Sequence, residues 1–397
     1  MLFALFKLVS LIRLVYSSEL ELKKLVFENY TRDILPNTTV NIKLGIAIRS
    51  LNNINQVDGT ITSNIWLRHW WNDKNIKWNK SIWNVSKITA YTEPELERAI
   101  WTPDIFIYNT AEKPMDELLK TNAIIYSNGD IIWSRPGMIK TSCVFDLENF
   151  PFDTQICSYK FGSWSYDTSQ INLSNADFPI DLTNYQSNQE WTIVKTEHYI
   201  EEKVYECCAE TFQSSFYKIT LKRKYGYYVL NIILPTFATS TLMIICLLIP
   251  WDSGERISYA VTVMLSIIVF LLILSENLPK TDTKPLLSKM LIGLVFFALF
   301  IVYSTVFIGI MHDYTNKNSK IAKYIISFLD KYNLSCKIKR KGNNEADSID
   351  SVESNQSEEE LHKKDCDNLA IIVERICTSF FFIIFVIYCA IIFSLRP

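Results

Sequence analysis

Apolar residues follow two different rhythms along this chain. Up to about residue 224 they come in short Val/Ile/Thr/aromatic runs, broken by Asn, Asp, Gly and Pro. The clearest run, 40–50, places Val40, Ile42, Leu44, Ile46 and Ile48 at alternate positions, and 216–221 alternates less strictly. A period of two belongs to half-buried strands, so this region predicts an all-β, immunoglobulin-like sandwich of about 200 residues. The amphipathic stretch 19–28 predicts a short helix ahead of it. Beyond residue 224 the rhythm changes. Four uncharged stretches, 225–250, 257–275, 290–311 and 376–395, each reach the roughly 20 residues that span a bilayer as a helix.

The second of these stretches has a polarity of its own. Ser258, Thr262, Leu265, Val269, Leu272 and Glu276 recur at spacings of 4, 3, 4, 3 and 4, which puts them on one helical stripe. The stripe is polar at its start, apolar in its middle and acidic at its end, and Glu255 supplies an acid just before it. At 1.5 Å per residue the two acids lie about 31 Å apart, the thickness of a bilayer core. An amphipathic packing helix has no need of acids at both ends of one stripe.

Composition fixes orientation. Residues 1–17 are short, apolar and end in small residues, as a signal peptide does, although Lys7 and Arg13 interrupt the run. N-glycosylation sequons stand at Asn29, Asn37, Asn79, Asn84 and Asn172, all ahead of the helices. Region 18–224 is therefore expected outside the cell, 225–311 as three crossings, 312–375 in the cytosol, and 376–397 as the fourth crossing with an extracellular C-terminus. Lys317, Lys320, Lys323, Lys331 and the basic run 337–341 agree with the positive-inside rule. The serine-rich acidic run 345–360 reads as a solvated, disordered linker, and sequons Asn333 and Asn355 within this segment should carry no glycan.

The chemistry is sparse. A net charge of −2 argues against nucleic acid as a partner. With four histidines, no glycine-rich phosphate loop and no metal-spaced cluster, the chain offers no catalytic, cofactor or metal site. It does offer cysteines. Of nine, Cys143, Cys157, Cys207 and Cys208 precede the helices, and four cysteines allow three pairings. The other five, Cys246, Cys336, Cys366, Cys377 and Cys389, are expected reduced. Aromatics also stand at turn positions: Tyr108 after Trp101-Thr102-Pro103-Asp104, Trp164 in Gly162-Ser163-Trp164-Ser165-Tyr166, and Tyr205 and Phe212 flanking the cysteine doublet.

Cys143 and Cys157 enclosing Phe150-Pro151-Phe152-Asp153, then a cysteine doublet, then hydrophobic helices, resembles the Cys-loop family of pentameric ligand-gated channels, and the doublet resembles its nicotinic acetylcholine receptor alpha-type subunits. The resemblance covers nearly the whole chain past residue 18. It implies a Cys143–Cys157 disulfide and a vicinal Cys207–Cys208 bond. The latter is geometrically awkward, since adjacent Cα atoms sit about 3.8 Å apart and disulfides ordinarily need at least about 4.4 Å. It also implies that Tyr108, Trp164, Tyr205, Cys207, Cys208 and Phe212 form the principal face of an agonist site, whose rings attract a quaternary ammonium by about 0.5–2 kcal/mol each. Asn64-Ile65-Trp66-Leu67-Arg68 resembles the complementary loop D. Segment 121–137 resembles loop E, with Ile124, Ile132 and Ser134 toward the ligand.

By the same resemblance the second helix lines the central pore of a homo- or hetero-pentamer. Glu255 and Glu276 give cation-selecting rings and Leu265 a gate that closes by dewetting. Gly254-Glu255-Arg256-Ile257-Ser258 resembles the cation-selective version, without the insertion of anion-selective relatives, and Pro235 matches the proline typical of the first span. Coupling is expected to run through Phe150, Pro151, Phe152, Asp153, Arg223 and the linker 277–284. The implied function is an acetylcholine-gated channel subunit passing sodium and potassium, with calcium a further candidate, and the implied place is the postsynaptic plasma membrane. Four departures stand out: Phe212 where the family usually has Tyr, Ser214 in place of an acid, a linker one residue short, and a linker 52–59 without the family's usual acid in register, where Asp58 is the nearest substitute. Two other readings follow from the same residues, a channel for another cationic amine and a non-conducting auxiliary subunit of a heteromer.

Overall fold

The structure, a computed structural model, describes residues 19–96, 98–112, 118–250, 254–280, 284–315 and 373–391. The stretch expected to be a signal peptide, 1–17, and most of the segment expected in the cytosol lie outside the described residues. Contacts divide the chain into two units, 1–146 with 153–224, and 147–152 with 225–397.

The first unit opens with helix α1 (19–27) and continues as a two-sheet β-sandwich. One sheet has six strands in the order β3-β5-β6-β2-β1-β8: β3 (Lys87–Ala90), β5 (Ala123–Tyr126), β6 (Asp130–Ser142), β2 (Thr60–Asn72), β1 (Val40–Asn55) and β8 (Ile171–Asp181). The other has four, β4 (Ile105–Ile107), β7 (Thr154–Ser163), β10 (Thr211–Arg223) and β9 (Trp191–Val204). The alternating residues Ile42, Leu44, Ile46 and Ile48 of β1 are buried and meet Tyr159, Phe161, Tyr217 and Ile219 in one core. Apolar burial of this kind is worth about 25 cal/mol per Å². Cys143, just past β6, is bonded to Cys157 on β7, with Cα atoms 5.2 Å apart, so the bridge joins the two sheets. A short helix α2 (Lys80–Trp83) is capped by Asn79, whose side chain accepts from the Ser81 N–H.

Among the described residues the second unit holds four helices long and apolar enough to cross a membrane: α3 (Gly226–Leu248), α4 (Arg256–Glu276), α5, which runs on to Thr315 from Leu286, and α6 (Val373–Ile391). Within α3 a π-helical turn, Val229–Ile233, precedes Pro235. Proline has no N–H for the carbonyl four residues back, and the widened turn is where that mismatch is absorbed. The Thr236 hydroxyl donates to the Ile232 carbonyl at 2.6 Å beside it.

Candidate functional site

The aromatic cluster is built on the four-stranded sheet. Tyr108 follows β4, and its N–H donates to the Lys160 carbonyl on β7 at 2.8 Å. Its ring lies against Gly162, where a Cβ would come within 2.8 Å of the Tyr108 Cζ, so glycine beneath the ring lets it lie in this position. The Tyr108 hydroxyl donates to the Ser163 carbonyl. Burial above all, then the nearby Tyr205 and Asp104, pushes its pKa up to about 12, which keeps it a proton donor at neutral pH.

Trp164 sits on a turn that Asp104 holds in place. The Asp104 carboxylate accepts from the Ser163 hydroxyl at 2.5 Å and from the Ser165 N–H at 2.7 Å. The carboxylate is thereby engaged with the turn, while the Trp164 indole remains 62 % exposed. Tyr108 meets Trp164 edge-on, with ring centroids 6.2 Å apart, and Phe106 approaches it at 6.5 Å. Tyr205 and Phe212, on the two sides of the β9–β10 hairpin tip, are 6.1 Å apart. Several aromatic faces are therefore gathered at one end of this sheet, where each can attract a cation.

Of the two bridges the resemblance implies, Cys143–Cys157 is formed. Cys207 and Cys208 stand side by side at the tip with their sulfurs unbridged. The tip keeps an ordinary turn in which the Cys208 N–H donates to the Tyr205 carbonyl at 3.1 Å. A bond between neighbours would have to distort that turn, because their Cα spacing of about 3.8 Å is below the usual disulfide span.

Trp66, Arg68, Ile124, Ile132 and Ser134 lie on the six-stranded sheet instead. Register brings them onto one face: Arg68 opposes Ser134, Trp70 opposes Ile132, and Ile124 also opposes Ile132. The Arg68 guanidinium pairs with Asp181 on β8 at 3.0 Å. Asp181 is held below the usual carboxylate range, first by hydrogen bonds from Thr183 and then by Arg68. The sequence reading missed Arg49. This residue of β1 places its guanidinium 3.7 Å from the centre of the Trp66 ring. Lys160 was missed as well; its ammonium stands 5.4 Å from the Tyr108 ring and 5.2 Å from the Phe216 ring. Both contacts depend on strand register, which no local motif announces. The two clusters share no ring contact among the described residues, so they are separate on this chain.

On α4 the stripe is laid bare. Ser258, Thr262, Leu265, Val269, Leu272 and Glu276 are all exposed, as is Glu255, and Leu265 is 58 % exposed. The opposite face, Arg256, Ala260, Val263, Ile267 and Leu274, is buried. Of the residues expected to couple, Phe150 and Phe152 belong to the second unit, where they pack on Tyr228 and Tyr225 at 4.8 and 4.9 Å on either side of a cis Pro151. In the first unit, Arg223 grips Asp153 and also Glu190, and lies 4.0 Å over the Trp191 ring. Of the sequon asparagines, Asn29, Asn79 and Asn84 are exposed, Asn37 donates to the Asn72 carbonyl, and Asn172 donates to the Asn41 side chain.

Residues 19–225 match the family described as the neurotransmitter-gated ion-channel ligand binding domain, and 232–371 match the neurotransmitter-gated ion-channel transmembrane region. The chain is 36% identical over 321 residues to the acetylcholine receptor subunit alpha-like 2 of Drosophila melanogaster, covering 77% of this chain and 55% of that protein. It is 33% identical over 317 residues to the neuronal acetylcholine receptor subunit alpha-2 of Gallus gallus, covering 78% and 59%. To the acetylcholine receptor subunit alpha-L1 of Schistocerca gregaria it is 36% identical over 300 residues, covering 72% and 52%. The chain thus spans about half the length of the curated relatives it matches.

Proposed function

We propose that this chain, which belongs to the neurotransmitter-gated ion-channel family, is a subunit of an acetylcholine-gated, cation-selective channel of the plasma membrane. The family is one of ligand-gated ion channels and not an enzyme class. The observation that carries the reading is the ring cluster: Trp164, more than half exposed, meets Tyr108 edge-on, with Tyr205 and Phe212 paired nearby. Such faces suit a permanently charged ammonium, which needs a place to shed water and offers no proton to a carboxylate. The one acid at the cluster's turn, Asp104, is occupied by Ser163 and Ser165.

The conducting path in this reading is the exposed stripe of α4, repeated around a pentamer. Glu255 and Glu276 attract permeant cations at its two mouths, and Leu265 closes the path by dewetting between them. Agonist bound between the ring cluster of one subunit and the Trp66 face of the next shifts the assembly toward its open form by binding that form more tightly.

Voltage clamp of oocytes expressing the chain, alone and with other nicotinic subunits, tests this directly. An acetylcholine-evoked inward current whose reversal follows external sodium is the expected result. A reversal that follows chloride, or surface-expressed receptors that pass no current in any combination, overturns it.

A further inference from the structure

Arg256 is the odd residue of the pore helix. It follows Glu255 directly, yet its side chain points away from the stripe and is 1 % exposed. Its guanidinium is held by two elements. Nη2 donates to the Leu247 carbonyl at the end of α3 at 2.6 Å, and it pairs with the Glu374 carboxylate at the start of α6 at 2.8 Å. The Arg256 carbonyl is engaged too, accepting from the buried Cys246 thiol at 3.4 Å. Among the described residues, Glu374 is the only carboxylate within ion-pair distance of Arg256.

A buried guanidinium without a counter-charge is costly, so the pair has a structural reason to exist. Its position gives it a second consequence. Consecutive Cα atoms lie about 3.8 Å apart, and charges interact without full screening over roughly 8 Å at physiological salt. An uncancelled Arg256 would therefore oppose Glu255 at every subunit, and a ring of such charges would offset the acidic ring that draws cations to the inner mouth.

We propose that Glu374 is a selectivity-positioning residue. It neutralises Arg256 on the side away from the pore and leaves the charge of Glu255 unopposed at the inner mouth. This rests on the cation-channel reading above. It assigns to the last helix, which is largely exposed, an electrostatic role in permeation through a residue that never touches the permeant ion.

The test is single-channel conductance at negative potentials, with the cation-to-anion permeability ratio from salt-dilution potentials, in whichever subunit combination conducts. Glu374→Gln leaves a bare positive charge and should lower inward conductance about twofold and reduce the permeability ratio. Arg256→Gln leaves a bare negative charge and should raise inward conductance. The double variant R256Q/E374Q should return to the wild-type value. Equal conductance in all surface-expressed variants overturns the proposal, as does a double variant that behaves like E374Q. If E374Q fails to reach the surface, R256Q against the double variant decides alone, because both remove the unpaired buried cation. A wild-type reversal that follows chloride fails the cation reading instead, and the charge pairing then shows as the inverse order of conductances.

Discussion

Arg223 and Asp153 form a two-pronged ion pair, Nε to Oδ1 at 2.7 Å and Nη2 to Oδ2 at 3.0 Å, with both side chains out of water. Arg223 ends β10 immediately before the second unit begins, and Asp153 follows the 147–152 tip that belongs to that unit. Chain entering and leaving the second unit is thus fastened to one buried pair. Asp153 is further held by the Gln155 amide at 2.5 Å, and Arg223 by Glu190.

Breaking a buried pair costs up to about 3–5 kcal/mol, and less where, as here, Glu190 still faces Arg223. Asp153→Asn should therefore lower the thermal midpoint of the detergent-solubilised receptor and its surface level. In D153N/R223Q the two losses should fall short of additive by at least about 1 kcal/mol, as interacting neighbours do. Strict additivity in that cycle would show that the pair is not coupled.

Gly162→Ala should weaken agonist binding without unfolding the sandwich. The new methyl group would stand 2.8 Å from the Tyr108 Cζ and 2.9 Å from its hydroxyl, closer than real Cβ contacts come. The ring must swing away from Trp164, and one face of the cluster is lost, worth about 0.5–2 kcal/mol for a bound cation. Agonist displacement of a bound radioligand should shift by roughly 2- to 30-fold, converting that energy at 1.4 kcal/mol per decade. An unshifted curve would remove Tyr108 from the site.

Lower pH should destabilise the first unit through His69. This side chain is fully buried against Trp133, and burial, then the charge of Arg135, lowers its pKa from 6.5 to about 3. Below pH 6.5 the unfolded chain takes up a proton that the folded one refuses. Its contribution is therefore whole above pH 6.5 and shrinks as pH falls toward 3, by roughly 2 kcal/mol at pH 5. His198 is lowered by burial in the same sense, while Asp73 is raised by burial and works in the opposite one. The difference between wild type and His69→Phe isolates the effect: the thermal midpoint of the receptor should drop less between pH 7 and pH 5 in the variant. Parallel pH profiles would mean that His69 takes up its proton as readily in the fold as in the unfolded chain.

The fold was legible where one physical cause dominates a long stretch. Strand β1 reads directly from its alternation, and four spans stand out because lipid tolerates no charge across a crossing. Even on β1 the pattern blurs: Gly45 and Ala47, on the polar side, are buried as well, since Gly45 is covered by Ala176 and Trp70. The three-residue β4 is too short to show any period, and β9 is exposed at most positions, so its alternation carries little hydrophobic contrast. Motifs with a local signature, such as Trp164 in its turn, can be picked out from sequence. Arg49, Lys160, Glu190 and Glu374 cannot, because each acts on a residue brought to it by strand pairing or helix packing.

Arg49 bears on which chain supplies the second half of the agonist site. Its guanidinium lies 3.7 Å over the Trp66 ring, which is 38 % exposed. A cation already seated on one face of that ring engages the quadrupole an agonist ammonium would use, and adds a like charge next to the bound ligand. If the Trp66 face serves as the facing half of the proposed agonist site, it should be weaker toward cations than the ring cluster around Trp164. Arg49→Gln should raise acetylcholine sensitivity in receptors assembled from this chain alone, where Trp66 has to serve as the facing half. The same substitution should have little effect where another subunit supplies that half. Concentration–response curves for both assemblies, with and without R49Q, separate the cases. A leftward shift of about 2- to 30-fold confined to the first corresponds to the roughly 0.5–2 kcal/mol of one ring–cation contact. An equal shift in both assemblies would place the action of Arg49 in gating and not at the interface.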